Sequence, residues 1–258
     1  MLEVAQSGLR TAADVVRSSP VQRAKNGIRY AAVGETLLPA EELERLLGAA
    51  PHAVANALAD QAFFFVPLAL TTQEDGELRV SESYSESLGD IASCHRNYDA
   101  GSSRYVFIST RLTPDKFSVA FELFINVAHA FADRVGISPD FSELVWRQAL
   151  TNVPGETSMD AYEARRQALS ARAGSGSSPE QKIDERAKTE FLSAAFSDAL
   201  AIYMLSLALD LEYFELRERD YPLLAPKALA ERLRKMAELF PPNPGYEFAI
   251  RYRRRGDR

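Results

Sequence analysis

The sequence predicts an α+β protein that is mostly helical, with a small N-terminal sheet followed by a helical half. Short apolar runs at 62–66 and 104–110 are rich in aromatic and β-branched residues, which is typical of strands. Longer segments in the second half carry apolar residues at steps of three and four, which is typical of helices. Strands and helices segregated in this way favour the α+β class over a doubly wound sheet.

The chain has 258 residues, enough to bury a sizeable core, and we interpret it as a single domain. Within that domain we expect N-terminal helices and the small sheet over 1–112. The helical half is expected over 113–245. A basic tail is expected over 246–258.

In the N-terminal half, the spacing of apolar residues predicts a helix over 3–18 that Pro20 ends. A helical region is predicted over 40–59, and Pro51 should divide it. The other predicted elements of this half are a strand over 77–80 after a turn at Asp75-Gly76, and a loop over 83–103 that is rich in Ser, Gly, Asp and Asn.

A helix over 114–135 opens the second half. Thr113, Pro114 and Asp115 suit its N-terminus, and Gly136 suits its C-terminal stop. Further helices are predicted over 139–150, 158–172, 179–209 and 226–239, with a flexible connection over 173–179 and an end to the ordered part at 241–245.

The composition excludes several classes of protein. The formal charge is -6 and the pI is near 5.3, so we expect no nucleic-acid partner, and we interpret the basic run 251–255 as a solvated tail. Cys94 is the only cysteine, which excludes an internal disulfide and a thiolate-rich zinc site.

The expected location is the cytoplasm, because the N-terminus lacks the pattern of a secretory signal and thiols would stay reduced there. The most apolar stretch runs over 191–211, a length that would suit a membrane span. However, Asp198 near its middle would be costly in lipid. We therefore expect a buried helix and no membrane.

The 114–135 helix carries a narrow polar row on an otherwise apolar surface. Glu122, Asn126, His129 and Asp133 recur at steps of four, three and four, so they lie along one side. The row is either the solvent-exposed face of a surface helix or a set of functional residues. An imidazole near a carboxylate is the arrangement that acid–base and metal sites use, and it also satisfies a buried histidine.

The second long helix has polar residues of its own. Glu190, Ser193 and Ser197 share one face, and Asp198 lies to its side. Buried carboxylates need partners. We therefore predict that the two apolar helices meet, and that His129 lies within hydrogen-bond reach of Asp133, Glu190 or Asp198.

The order of these parts resembles a zinc metallopeptidase of the zincin type, over roughly residues 104–210. That family places an edge strand before a helix bearing His-Glu-x-x-His, and a later helix supplies a third ligand. Here the segment at the motif is Ile125-Asn126-Val127-Ala128-His129. His129 matches the second histidine, whereas Ile125 and Asn126 replace the first ligand and the general base.

Glu190, in the phrase Glu-Phe-Leu-Ser-Ala-Ala-Phe, matches the third-ligand position of the family. The resemblance therefore implies a degenerate relative, in which the fold is kept and the peptidase chemistry is lost, because Asn cannot take a proton from water. It would be a catalytically silent, zincin-like module for binding or scaffolding. No cofactor is expected under this hypothesis.

Two alternatives stay open. The first is a metal-dependent hydrolase with a remodelled zinc site made of His95, His129 and Glu190, joined by Cys94 or Asp198, with Glu122 as a displaced base. The second is a plain helical interaction protein whose small-residue helix, 194–208, pairs with another copy or with a protein partner. Metal content separates the first alternative from a silent module, and the absence of a strand beside the 114–135 helix would favour the second.

Overall fold

The computed structural model describes residues 8–36, 38–71, 76–112, 116–170, 183–216 and 220–251. The chain divides into two compact units, Met1–Val127 and Ala128–Arg258. Both sheets lie in the first unit, whereas the described part of the second unit consists of helices and connecting segments with one isolated bridge. The predicted α+β class, with the sheet first and a helical half after it, is confirmed.

The described residues form nine α-helices and nine strands. The helices are α1 (Ala12–Ser18), α2 (Ala40–Gly48), α3 (His52–Ala57), α4 (Glu86–Gly89), α5 (Lys116–Val135), α6 (Pro139–Leu150), α7 (Met159–Ser170), α8 (Glu185–Ala208) and α9 (Pro226–Leu239). The strands are β1 (Arg10–Thr11), β2 (Gln22–Arg23), β3 (Arg29–Ala32), β4 (Gln61–Val66), β5 (Leu68–Thr71), β6 (Leu78–Ser81), β7 (Ala92–Ser93), β8 (His95–Ala100) and β9 (Ser103–Ser109).

The larger sheet has the strand order β2-β3-β4-β9-β8. Its three inner strands are parallel to one another, and both outer strands pair antiparallel with their neighbours. Every residue of β4 is buried, which is the pattern of an inner strand covered on both faces. Phe64 of β4 packs against Phe107 of β9 with 5.0 Å between ring centroids, so the two strands share one core.

The smaller sheet is antiparallel, with the order β1-β6-β5-β7. Strand β5 follows β4 after Pro67 alone, so the chain passes directly from one sheet to the other. Buried Ala69 and Val80 of this sheet belong to the same core cluster as Phe64. The two sheets of the first unit therefore share one hydrophobic core.

The predicted helix over 3–18 is wrong at its start. Residues 1–7 lie outside the described residues, and the described helix begins at Ala12. Thr11 is its N-cap, with the side-chain oxygen accepting a hydrogen bond from the backbone N–H of Asp14 at 3.0 Å. Arg10 and Thr11 pair with β6, so the backbone before the cap is extended.

The predicted loop over 83–103 is also wrong, since it contains α4, β7 and the whole of β8. Strand β8 turns into β9 at Gly101, which has a φ of +61°. The segment is polar because β8 is an edge strand whose side chains are exposed or half-buried, and a composition of this kind resembles that of a loop. On this strand Tyr98 makes an apolar contact with Tyr105 of β9, with 6.1 Å between the ring centroids.

The predicted helices of the second half are confirmed in their described parts, with one exception. The helix predicted from 179 begins only at Glu185, where Asp184 is the N-cap, and residues 179–182 lie outside the described residues. Gly136 has a φ of +83° and donates its backbone N–H to Ala132 at 2.9 Å, as expected of a helix stop. The predicted start at Thr113-Pro114-Asp115 and the connection over 173–179 lie outside the described residues. The predicted end of the ordered part at 241–245 is wrong, because the structure describes the chain to Arg251 and the ring of Phe248 packs 5.2 Å from that of Tyr203.

Helix α8 is the core of the second unit. Its Phe196 contacts the rings of Phe131, Phe141 and Phe240, with centroid separations of 6.3, 5.3 and 6.3 Å. Because Phe131 belongs to α5, the prediction that the two apolar helices meet is confirmed. By length and composition α8 could also cross a membrane. However, 78% of its most apolar window is buried inside the protein, as in the core helix of a globular protein.

Ser197 on α8 has a fully buried hydroxyl oxygen with no hydrogen-bond partner among the described residues. An unsatisfied buried hydroxyl lowers stability. We expect Ser197→Ala to raise the free energy of unfolding by about 1 kcal/mol in urea titrations. The control is Ser206→Ala on the same helix, which removes a 2.7 Å bond to the carbonyl of Tyr203 and should not stabilise. A destabilised Ser197→Ala variant would contradict this prediction.

Candidate functional site

In the first unit, the structure brings together two of the residues that the sequence singled out. His95 is the first residue of edge strand β8, and Glu122 lies in the second turn of α5. The Nδ1 atom of His95 is 2.8 Å from Oε2 of Glu122. Their side chains are 40% and 22% exposed, so the pair is partly screened from water. This contact joins the edge strand to the helix.

A cavity of about 170 Å³ lies beside this pair, and its lining includes Cys94, Ser109 and Glu122. Its apolar lining comes from Leu112 and from the first turns of α5, where the rings of Phe117 and Phe121 stack with 6.2 Å between centroids. Such a space holds a small group at most.

Burial raises the pKa of the Cys94 thiol, and the negative charge of Glu122 raises it further. Cys94 therefore stays protonated to a higher pH than an ordinary cysteine, whereas a nucleophile or metal ligand needs the thiolate.

Asn126, at the position of the family's general base, turns its side chain back onto its own helix. Its Nδ2 atom donates to the backbone carbonyl of Glu122 at 2.8 Å. Ile125 beside it is half-buried and has no ligand atom. The first two positions of the motif therefore offer neither a metal ligand nor a base.

The remaining candidates lie in the second unit. His129 and Asp133 are exposed on the last turns of α5. Glu190 is exposed on α8 and accepts from Nε of Arg186 at 3.0 Å. Asp198 is buried. The prediction that His129 reaches Asp133, Glu190 or Asp198 stays a prediction.

Asp198 is the most perturbed carboxyl group of the second unit. Burial raises its pKa to about 6, and the nearby carboxylate of Glu156 acts in the same direction. Hydrogen bonds from the hydroxyls of Ser158 and Thr157, the latter at 2.8 Å, oppose this effect, as does the positive charge of Arg232. Asp198 is therefore a proton-accepting group inside the protein near neutral pH.

Sequence analysis missed a cluster of buried charges in the second unit. Glu156 and Arg232 are fully buried, and their carboxylate and guanidinium groups are joined at 2.9 and 3.3 Å. Arg165 donates to the same carboxylate at 2.9 Å, and Gln148 accepts from Nε of Arg232 at 2.8 Å. Local spacing cannot reveal this cluster because the pair is 76 residues apart in the chain.

One signal in the sequence does indicate the cluster. Arg232 follows Leu229 by three residues and precedes Met236 by four, so it lies on the apolar side of α9. A charged residue inside an apolar stripe requires a buried partner. The identity of that partner is set by the tertiary fold.

Among the described residues, no three His, Cys, Asp or Glu side chains converge in a way that could hold a metal ion. His95 and Glu122 belong to the first unit, whereas His129, Glu190 and Asp198 belong to the second. The sequence matches no protein-family model and no curated protein, so the function has to be argued from the residues of these two units.

Proposed function

We propose that this chain is a catalytically silent, zincin-like protein that acts as a binding or scaffolding module. The observation that carries the proposal is the state of the motif on α5. Asn126 stands in place of the base and is bonded to the carbonyl of Glu122, and Ile125 stands in place of the first ligand. An amide cannot remove a proton from water, and an aliphatic side chain cannot bind zinc.

The surroundings of α5 support the zincin-like part of the proposal. The family to which the sequence is similar has an edge strand before the motif helix. Here β9 leads into α5, but it lies between β4 and β8 and so departs from the family's pattern; the edge strand is its neighbour β8, which the contact between His95 and Glu122 ties to α5. A plain helical interaction protein would not require a strand at this place.

The position of the third ligand supports the silent part of the proposal. Glu190 is engaged by Arg186 one helical turn earlier, in a pair that is largely exposed. In a working zinc site, a ligand carboxylate is oriented toward the metal by its neighbours. The pairing with Arg186 instead uses Glu190 as an ordinary surface residue.

The second candidate function is a hydrolase with a remodelled metal site, and one observation favours it. The carboxylate of Glu122 lies 2.8 Å from His95 beside a small cavity, an arrangement that would orient the imidazole. The raised pKa of Cys94 counts against its use as a third ligand, because zinc binds the thiolate.

Metal analysis of the purified full-length protein tests the two candidates. After incubation with zinc and dialysis, we expect the protein to retain no stoichiometric metal. Stoichiometric zinc that is lost in the His95→Ala and Glu122→Gln variants would overturn the silent module and establish the remodelled site. Zinc retained equally by those variants would overturn both assignments.

Restoration of the motif tests the zincin-like relationship itself. The double variant Ile125→His, Asn126→Glu places two imidazoles one turn apart on α5, at positions 125 and 129. If the chain is zincin-like, we expect zinc to bind at least about tenfold more tightly than to a matched helix carrying only two histidines, because that family supplies a third ligand to the motif. Isothermal titration of the folded variants measures the difference.

The matched control is Glu163→His, Gln167→His, which puts the same spacing on the exposed side of α7. Equal zinc affinity in the two double variants would argue against a zincin-like site. A further change, Glu190→Gln, should reduce the affinity of the restored site only. If it does not, Glu190 is not the third ligand.

A further inference from the structure

Strand β8 forms one edge of the larger sheet, and among the described residues no strand pairs with its outer side. The other edge strands of the two sheets, β1, β2 and β7, have two residues each, whereas β8 has six. Its register with β9 runs without interruption from His95 to Ala100, so no bulge bends it, and it contains no proline. Natural sheets use short edge strands, bulges and prolines to prevent pairing. Strand β8 has none of these and can accept another strand.

The backbone groups on the outer side of β8 follow from its pairing with β9. The backbone N–H of Ser109 donates to the carbonyl of Cys94 at 2.8 Å, and the same register continues along β8. In an antiparallel ladder, pairs that exchange hydrogen bonds alternate with pairs that do not. Every second residue after Cys94 therefore bonds β9, and the residues between them direct their N–H and carbonyl groups outward. The outward residues are His95, Asn97 and Asp99.

A second copy of β8 in the antiparallel direction can bond all three outward residues in one symmetric register. With Asn97 on the two-fold axis, Asn97 faces its own counterpart, and His95 faces Asp99 of the second copy on each side of the axis. An axis at Arg96 would leave Asp99 beyond the paired strand, and an axis at Tyr98 would leave His95 beyond it. The register centred on Asn97 therefore forms the most backbone hydrogen bonds.

The side chains of β8 are complementary in this register. The carboxylate of Asp99 would face His95 of the second copy, whose Nδ1 has a partner in its own chain and whose Nε2 is left to donate. Asp99 also accepts from Nε of Arg104 at 3.2 Å, and a carboxylate can accept from a second donor. On the other face of the sheet, Arg96 would lie opposite the ring of Tyr98, which is a favourable cation–aromatic pair.

We propose that two copies of this chain associate through β8, antiparallel and about a two-fold axis at Asn97, so that their two larger sheets become one continuous sheet. Charge complementarity selects a second copy as the occupant. Arg96 and Asp99 hinder pairing of this edge with most strands, whereas β8 of another copy supplies a suitable counterpart for each. This inference goes beyond the proposed function and does not depend on the zincin-like relationship, so each can fail alone.

Sedimentation equilibrium of the full-length protein tests the association. We expect a concentration-dependent equilibrium between monomer and dimer. Asp99→Lys places a cation opposite His95 and should raise the dissociation constant of the dimer at least about tenfold. Asp90→Lys makes the same change of charge at an exposed residue outside β8 and should leave the constant unchanged. A protein that stays monomeric at about 0.5 mM, or equal effects of the two variants, would overturn the proposal.

Chemical cross-linking tests the register in a Cys94→Ser background, which has no native thiol. Opposite residues of a hydrogen-bonded antiparallel pair have Cα atoms about 5.5 Å apart, so a short bismaleimide should link two copies of an Asn97→Cys variant. The control is Ser102→Cys, exposed in the turn after β8, where the two thiols would be about 30 Å apart and should not be linked. Equal cross-linking of both variants, or of neither, would overturn the register, and thermal unfolding checks that all variants are folded.

Discussion

The variant Arg232→Met is expected to lower the free energy of unfolding by about 3–5 kcal/mol. The guanidinium of Arg232 makes two hydrogen bonds to Glu156 and one to Gln148, and all three residues are buried. Methionine fills most of the volume but removes every donor. The carboxylate of Glu156 would then remain buried with Arg165 as its remaining cation, which is the costly situation.

The expected loss of stability is large because the variant removes only one partner of the buried ion pair and leaves the charge of the other. A buried ion pair as a whole contributes little, because desolvation of both charges offsets their attraction. The double variant Arg232→Met, Glu156→Gln should therefore recover part of the loss. Urea titrations of the single and double variants measure this recovery as a coupling free energy.

The control for Arg232→Met lies on the same helix. Arg234 is exposed on α9, and Arg234→Met should change the free energy of unfolding by no more than about 0.5 kcal/mol. If both variants lose the same free energy of unfolding, the loss comes from changing an arginine on this helix and the buried cluster does not account for it. No recovery in the double variant would contradict the role assigned to Glu156.

The fold was predictable where local patterns determine structure. The aromatic run of β4 and the proline-initiated helices α6 and α9 lie where the sequence places them, because their apolar periodicity and start signals agree with the tertiary contacts. Strand β8 was missed since an edge strand in water has no apolar alternation to detect. Its pairing comes from β9 and the turn at Gly101.

The candidate site was only partly predictable, for a similar reason. The polar row on α5 follows from helical spacing, but its actual contacts depend on other segments. Glu122 meets His95 from a strand that the sequence did not predict, and Asn126 bonds its own helix. The cluster around Glu156 joins three helices and a connecting segment, which no single-segment pattern encodes.

The second large effect concerns pH and rests on Asp198. The residue as a whole is 8% exposed, and burial raises the pKa of its carboxyl group from 3.8 to about 6. In the unfolded chain the group ionises at the lower value, so between about pH 4 and about pH 6 the folded state binds more protons than the unfolded state. This group's contribution to stability is therefore fully present below about pH 4 and is lost as the pH rises through about 6.

The variant Asp198→Asn should remove this dependence, because an amide resembles the protonated acid and can keep the hydrogen bond from Thr157. The gap between 3.8 and about 6 corresponds to about 3 kcal/mol. The stability of the variant relative to the unchanged protein should thus rise by about 2 kcal/mol from pH 4 to pH 7, because part of the gap is already lost at pH 4; urea titration at each pH measures the rise.

Comparison with Asp133→Asn removes the contribution of general charge effects, since Asp133 is exposed on α5. The same titrations of that control give the effect of removing one exposed carboxylate, which is subtracted from the effect of Asp198→Asn. The two predictions are linked, because Arg232 lowers the pKa of Asp198. In the protein that keeps Asp198, the change Arg232→Met should raise the pKa of Asp198. The loss of stability with rising pH should then continue to a higher pH. An Asp198→Asn variant whose relative stability falls with pH would show that Asp198 is held ionised by the cluster.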